Sequence, residues 1–506
     1  MSRSRARRVP SLSFGLWLIG GVLVAHSPAN ANGRFPAANQ LVVDPDDATH
    51  LVVRATYGTM ISHDGGRTMR LVCEQAIGAT GDADPMLGLF AGGTMVAGVV
   101  SGLAATRDEG CSWSLLPGFL PREYVVDVTV QKDDPRRGLV VSSTAGDGGG
   151  FHTVLFETND GAATFHTLGH ALGTDFLAQT VEVAPSDPRR IYVSGTVTAD
   201  GGAQTPAVLR SIDRGASFTR TMLSSFGAGH SAWISAVDPK APGTVYVRMR
   251  TTDKDRLLVS TDGAKTFRET YAAVGSLTGF ALSPDGTEVA LGGAGDGILV
   301  ASTRDFVWKK ASPVHAQCLT WTKAGLYACG VEWLDHFVVG LSVDRGATFT
   351  ALSHMSDPCP VRCAAESTVA RTCTDELWRG TQASIQQPPE TCGGGHDAGV
   401  AAAPSAPTDE GDEGRGQRNL RLLAMGAISF VLVLVLAGGA AFLRSRRRRT
   451  LTQPGFRSAA GGPPADRSEF GRRFGDFARR DSSAISSTKA PEDALEDARN
   501  ADGTTR

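Results

Sequence analysis

A short pattern returns along this chain and limits what it can fold into. SHDGGRTM (62–69), TRDEGCSW (106–113), TNDGAATF (158–165), SIDRGASF (211–218), STDGAKTF (260–267) and SVDRGATF (342–349) each place Ser or Thr, then Asp two residues later, then Thr or Ser four after that. STRDFVW (302–308) is a degenerate seventh copy that keeps Asp305 and Trp308 but lacks the glycine. The aspartates are Asp64, Asp108, Asp160, Asp213, Asp262, Asp305 and Asp344, spaced 39 to 53 residues apart. A period of this length is the mark of a repeat architecture.

The unit reads as a turn tied to itself. An Asp carboxylate accepts backbone N–H groups in a tight turn, a following Gly supplies positive φ, and the terminal aromatic opens the next strand. Asp160 and Asp262 are followed at the glycine position by Ala162 and Ala264, so strain or a shifted turn is expected there. A second, softer repeat precedes the first: VVDPDDATHLVV (42–53), VQKDDPRRGLVV (130–141), VAPSDPRRIYV (183–193), VDPKAPGTVYV (237–247) and LSPDGTEVAL (282–291). Each is a β run, a Pro/Asp turn and a second β run. Together the patterns predict four strands per unit: 40–44, 50–56, 58–63 and 67–72 in the first, and 317–322, 325–330, 337–343 and 348–353 in the last. One such sheet cannot bury both its faces, but seven set radially can. The expected fold is all-β, a seven-bladed β-propeller.

These motifs resemble the Asp-box (BNR) repeats of the sialidase and sortilin-like propeller families. The resemblance covers about 310 residues and implies a fold. In those families the Asp-box lies at the blade periphery, away from the ligand face, so the seven aspartates are expected to be structural.

The flanks place the propeller outside a membrane. Arg3, Arg5, Arg7 and Arg8, an apolar run from Leu12 to Ala25, and small residues ending at Ala31 read as a cleaved signal peptide over 1–31. The propeller is expected over 32–353, a cysteine-rich module over 354–392, a flexible stalk over 393–419, a transmembrane helix over 420–443 and a cytoplasmic tail over 444–506. The uncharged run from Leu422 to Leu443 would rise about 33 Å as a helix, enough for a bilayer core of about 30 Å. Arg444 and Arg446 to Arg449 follow and mark the inner side. The polar tail is read as disordered. Phe470, Phe474 and Phe477 would share one face of a helix, with Arg472, Arg473, Arg479 and Arg480 around them, which leaves a membrane-surface helix as the other reading.

All eight cysteines lie on the predicted outer side, where disulfides form. CLTWTKAGLYAC puts Lys323 and Ala324 in a two-residue turn, so Cys318 faces Cys329 across the hairpin and a disulfide is expected. Cys73 and Cys111 are then paired as a bridge between neighbouring blades. Cys359, Cys363, Cys373 and Cys392 are expected to form two disulfides within their own module rather than a zinc site.

Chemistry is harder to find. A sialidase-like enzyme needs an arginine triad, a nucleophilic Tyr with a Glu partner and an acid/base Asp. Arg54 and Arg248 occupy similar places in second strands, but a third Arg and a Tyr–Glu pair do not stand out. AGDGGGFH (145–152) lies between two strands and reads as a long hairpin loop, not a phosphate cradle. A net charge of −2 gives no reason to expect nucleic acid. No catalytic, cofactor or metal residue is assigned. The expectation is a single-span, non-catalytic recognition or scaffold protein that takes a protein or glycan ligand on the propeller face. The alternative is a membrane-anchored sialidase-like glycoside hydrolase. The layout of propeller, cysteine-rich module, span and basic tail is also similar to that of sortilin-type receptors.

Overall fold

The computed structural model describes residues 36–79, 84–118, 123–146, 149–199, 202–226, 231–251, 254–389 and 391–392. The expected signal peptide, stalk, transmembrane helix and tail lie outside the described residues. No described helix is long and apolar enough to cross a membrane.

The chain forms a seven-bladed β-propeller. Seven antiparallel sheets follow one another along the sequence, each built from four consecutive strands, and the first carries a fifth strand from the C-terminal segment. Blade 1 consists of Ala38–Val43, Leu51–Ala55, Gly58–Ser62 and Arg70–Val72. Blades 2 to 7 span 86–115, 125–168, 176–222, 232–272, 277–312 and 318–353. The first strands of successive blades approach one another, so the first strand of each blade is innermost and the fourth lies at the rim.

Period-2 alternation explains the radial packing. Leu51, Val53 and Ala55 of one strand enter the core shared with blade 7, while Val52 between them enters the core shared with blade 2. Likewise Val245, Val247 and Met249 face blade 4 and Tyr246 faces blade 6. There are seven such hydrophobic clusters among the described residues, one at each blade-to-blade interface. A strand apolar on both faces is stable only with a neighbour on each side.

Among the described residues no strand is shared between the first and last blades. The ring closes through the cluster in which Ala38, Leu41, Met60 and Leu71 of blade 1 meet Cys318, Tyr327 and Val339 of blade 7. The Thr320 hydroxyl also donates to the Leu41 carbonyl at 2.7 Å. The segment after blade 7 reinforces this seam and is not a separate module. Its strand Cys359–Pro360 pairs in parallel with Arg70 and Leu71 at the rim of blade 1. Ile385 and Trp378 then pack into the blade 7–blade 1 cluster, and Val361, Val369 and Leu377 into the blade 1–blade 2 cluster. We call this segment the clasp.

The clasp explains a corrected disulfide pattern. Cys318–Cys329 forms as the hairpin register requires, with the two residues directly opposite each other. The expected Cys73–Cys111 bridge does not form, and only one of the two bridges expected within the cysteine-rich module does. Cys73 bonds Cys373, Cys111 bonds Cys363, and only Cys359–Cys392 stays within the clasp. The cause is the added fifth strand, which lays the clasp across blades 1 and 2 and brings the Cα atoms of the two cross-links to 5.3 and 5.4 Å.

The two cross-links span 300 and 252 residues and are nested, so 300 − 252 leaves a loop increment of 48. On the chain-entropy account, removing one while keeping the other costs up to about 4 kcal/mol. The Cys73→Ser/Cys373→Ser double variant should therefore unfold at clearly lower denaturant than the parent. Non-reducing peptide mapping should recover Cys73 with Cys373, and a peptide joining Cys73 to Cys111 would contradict the fold.

Candidate functional site

The propeller has two unlike faces. Turns between first and second strands and between third and fourth strands lie on one face, because the strands alternate in direction. The two sequence repeats occupy these two sets of turns, and they are tied together. The amide after the repeat Asp donates to the end of the softer repeat in four blades, Gly65 to Thr49, Gly161 to Arg136, Arg214 to Arg189 and Gly263 to Gly243, and in the degenerate copy Thr303, two residues before Asp305, donates to Thr287, all at 2.8–3.0 Å.

Within the repeat turn the hydrogen bonds recur. In blade 1 the Ser62 hydroxyl donates to Asp64 Oδ1 at 2.9 Å and accepts the Gly66 amide at 2.8 Å. Thr68 donates its amide to Oδ1 and its hydroxyl to Oδ2, at 2.9 and 2.8 Å. Asp108, Asp160, Asp213, Asp262 and Asp344 make the same set with their own Ser and Thr neighbours. Bonds from the residue four places on hold the Asp160, Asp213, Asp262 and Asp344 carboxyls down at about 2. Asp305 differs: its carboxylate accepts the Val307 amide at 3.2 Å, and the residue four places on is Lys309, which has no hydroxyl to offer.

The two residues after each Asp of the six regular turns are left-handed. In blades 3 and 5 the second is Ala162 and Ala264, with φ of 62° and 59°. The turns are not shifted, since both amides keep the bond to the Thr158 or Ser260 hydroxyl at 3.2 and 2.8 Å. The strain falls on the alanines, at roughly 1–2 kcal/mol each, and their methyl groups are buried.

The opposite face carries the second-to-third connections and the links between blades. The Gly-rich segment joins strands Gly138–Ala145 and Phe151–Thr158 on this face. In blade 7 this face bears a short helix, Glu332–Asp335, with Trp333 and Leu334 exposed. The His315 ring pairs with Asp335 at 2.9 Å, and the His354 ring with Glu332 at 3.0 Å. The bond to Glu332 raises the pKa of His354. Val274, on the link between blades 5 and 6, is also exposed.

Between the faces, each innermost strand has a free edge facing the channel. Side chains of a neighbouring blade cap that edge. Gln40 both donates to and accepts from the Leu87 backbone at 3.0 Å, Asp127 accepts the Val181 amide at 2.9 Å, Asp255 accepts the Leu277 amide at 2.9 Å, and Thr278 donates to Ala316. Five innermost strands have a register shift near the loop-face end. Such bulges re-aim side chains.

Arg54 and Arg248 belong to this capping system. Arg54 donates to Asn39 in its own blade at 2.7 Å and to the Pro85 carbonyl of the next at 3.1 Å. Arg248 donates to Ser235 in its own blade at 2.9 Å and to the Leu277 and Thr278 carbonyls of the next at 3.2 and 2.5 Å. The equivalent second-strand residues in the remaining blades are Gly98, Val141, Ser194, Gly292 and Cys329. A Cβ at Gly98 or Gly292 would lie 2.6 Å from Val125 or 2.5 Å from Ala316, so there the next blade itself fills the space. Val141 packs into the cluster shared with blade 4, the Ser194 hydroxyl shares a hydrogen bond with Thr180, and Cys329 is bridged to Cys318. One position is thus filled in five ways, and the two arginines point at blade seams rather than at a common ligand.

Two carboxyls in the ring have unusual acidity. Burial pushes Asp127 up to about 8, with Glu182 adding to the effect. Burial pushes Glu182 up to about 7, and the Thr129 hydroxyl donates to it at 3.1 Å. Sequence reading missed both, because each is a single acidic residue in an otherwise ordinary strand. No group of three metal-ligating side chains occurs among the described residues.

No family model matches the chain and no curated protein matches it. Solved structures do. An ancestral GH74 enzyme is 11% identical over 58% of this chain and 44% of its own, with a TM-score of 0.44. The GH74 xyloglucanase from Xanthomonas campestris is 18% identical over 58% of this chain and 50% of its own, at 0.38. The Cps50 (Swd1) β-propeller domain from Myceliophteria thermophila is 10% identical over 59% of this chain and 95% of its own, at 0.39. The chain spans about half the length of the two GH74 structures. At these identities and scores the likeness carries no function with it.

Two predictions follow from the ring. Arg248→Met leaves two buried carbonyls and Ser235 without their donor, so it should lower unfolding free energy by about 2–3 kcal/mol in denaturant melts; the exposed change Arg136→Ala should stay within about 0.5 kcal/mol. The folded pKa of Asp127 lies above its unfolded value, so the protonated form stabilises the fold fully below about pH 4, and this is lost as pH rises through about 8. Asp127→Asn should raise the melting temperature at pH 9 more than at pH 5, and an equal shift at both would show that its titration is not linked to folding.

Proposed function

We propose that this chain is a non-catalytic recognition or scaffold protein that presents its propeller outside the membrane on a single span, Leu422–Leu443, after loss of the signal peptide. We read the six regular repeat turns as Asp-boxes of the sialidase and sortilin-like kind, serving to tie the blades. The observation that carries the reading is the use of the ring's polar groups. Arg54, Arg248, Asp127 and Asp255 are spent on the backbone of a neighbouring blade, while the opposite face exposes Trp333, Leu334 and Val274. Exposed aromatic and aliphatic side chains on loops held by a rigid ring suit binding of a protein or glycan. The four disulfides agree with an oxidising compartment.

One observation favours the hydrolase alternative. Asp127 and Glu182 titrate near neutrality, the range that suits a general acid. The two readings separate in one experiment on the full chain in detergent micelles. A glycan array and a panel of aryl glycosides are run on the parent, on Trp333→Ser/Leu334→Ser and on Asp127→Asn. The recognition reading expects binding without turnover, weakened at least tenfold by the double change and unaltered by Asp127→Asn. Glycoside hydrolysis abolished by Asp127→Asn would establish the enzyme instead.

A further inference from the structure

We propose that the cavity where blade 1, blade 2 and the clasp meet binds a tetrahedral oxyanion between the guanidinium groups of Arg70 and Arg362. The ligand would be a sulfate or phosphate, carried as an ester on a saccharide or free as the inorganic ion. This inference concerns the rim of the propeller and does not rest on the recognition role given to the loop face.

The cavity has a volume of about 330 Å³ and is lined by His63, Asp64, Arg70, Glu109, Cys111 and Arg362 among others. Two features of the fold bring the arginines together. Arg70 opens the outermost strand of blade 1 and stands directly opposite Cys359 of the clasp in the parallel pair. The Val361 amide then bonds the Leu71 carbonyl at 3.1 Å, so Arg362 leaves the ladder beside the same strand. The next residue, Cys363, is bonded to Cys111 in the repeat turn of blade 2. Arg362 is therefore fixed on both sides, by a ladder hydrogen bond before it and a disulfide after it. Nothing in the sequence signals this, since Arg70 and Arg362 are separated by nearly the whole propeller.

The two carboxylates of the cavity, Asp64 and Glu109, form no ion pair with its two guanidinium groups. Burial and the nearby Arg362 charge lower the pKa of Arg70, and the Asp64 charge offsets part of this. Asp64 is already engaged by the Ser62 hydroxyl and by the amide and hydroxyl of Thr68. Glu109 is 77% exposed and lies 3.9 Å from the His63 ring. Among the described residues neither guanidinium has an ion pair or a hydrogen bond. Two adjacent guanidinium groups held by backbone and disulfide geometry repel each other, and an anion between them removes that cost. A guanidinium fork donates two parallel N–H bonds to sulfate or phosphate oxygens. Bulk water takes about 30 Å³ per molecule, so the cavity holds roughly ten water volumes. That is more than an isolated oxyanion needs and leaves room for a sugar ring.

The test is isothermal titration on the full chain in detergent micelles at low salt. The probes are inorganic sulfate, inorganic phosphate, glucose 6-sulfate and glucose 6-phosphate, with glucose as the neutral control. Saturable binding of at least one oxyanion is expected, with none of glucose. Arg70→Gln and Arg362→Gln should each weaken it at least tenfold, while Arg136→Gln, on a turn of blade 3, should leave it unchanged. Tighter binding of a sugar ester than of the inorganic ion identifies the carried group as the ligand; equal affinity identifies the free ion. If Arg70→Gln fails to fold, the exposed Arg362→Gln carries the test alone. Absence of saturable binding by every probe, or binding that both arginine variants retain, overturns the proposal.

Discussion

Every blade of this propeller is apolar on both faces, so no blade is stable without a neighbour on each side, and the seam between the last blade and the first becomes the point on which the rest depends. A ring that failed to close would leave Leu51, Val53 and Met60 of blade 1 and Tyr327 and Val339 of blade 7 facing water. A fully buried side chain of this kind stabilises the fold by about 1.5–3 kcal/mol. The seam has no shared strand to zip it, because each sheet is made of consecutive strands. Its strength comes from the apolar cluster and from the clasp, which places Met355 and Ile385 in that same cluster and extends the rim of blade 1 by a strand.

The polar interior follows the same logic. Placing seven sheets around an axis creates seven innermost strand edges with unpaired backbone groups, and an unpaired buried group costs about 1–3 kcal/mol. The side chains of Gln40, Asp127, Asp255 and Thr278 serve the edge of a neighbouring blade. Burying a carboxyl to cap an amide has a consequence for Asp127, because burial disfavours the charged form more than the bond from Val181 favours it. Its raised pKa is thus accounted for by packing, without invoking catalysis.

The fold was legible because the information is local and repeated. The Asp turns and Pro/Asp turns mark two connections per blade, and period-2 runs mark the strands between them. The first-blade strands lie at 38–43, 51–55, 58–62 and 70–72, close to the expected positions. Cys318–Cys329 was legible for the same reason, since a two-residue turn fixes its register. The long-range disulfides were not. Cys73 and Cys111 find their partners 300 and 252 residues away, and that pairing depends on a clasp strand of two residues with no pattern of its own. The roles of Arg54 and Arg248 lay between these cases. Their equivalence was visible in the strands, but the bulges at Asn39 and Ser235 that aim them at the next blade were not.

The clasp also settles how force enters the ring. Cys392 is bonded to Cys359, which is paired beside Arg70 at the rim of blade 1. A pull on the chain beyond Cys392 therefore reaches Cys359 through a covalent bond, without first unravelling the helical stretch 370–384. From Cys359 the load divides. One path runs back through 354–358 to blade 7, and the other runs forward to Cys363 and Cys373, which are bonded to blades 2 and 1. Because the backward path reaches blade 7 and the two disulfides reach blades 1 and 2, tension is delivered to both blades that the seam joins. Peeling blade 7 away from its neighbours one strand at a time would be the easier failure for a ring without a shared strand, and this cross-linking opposes it.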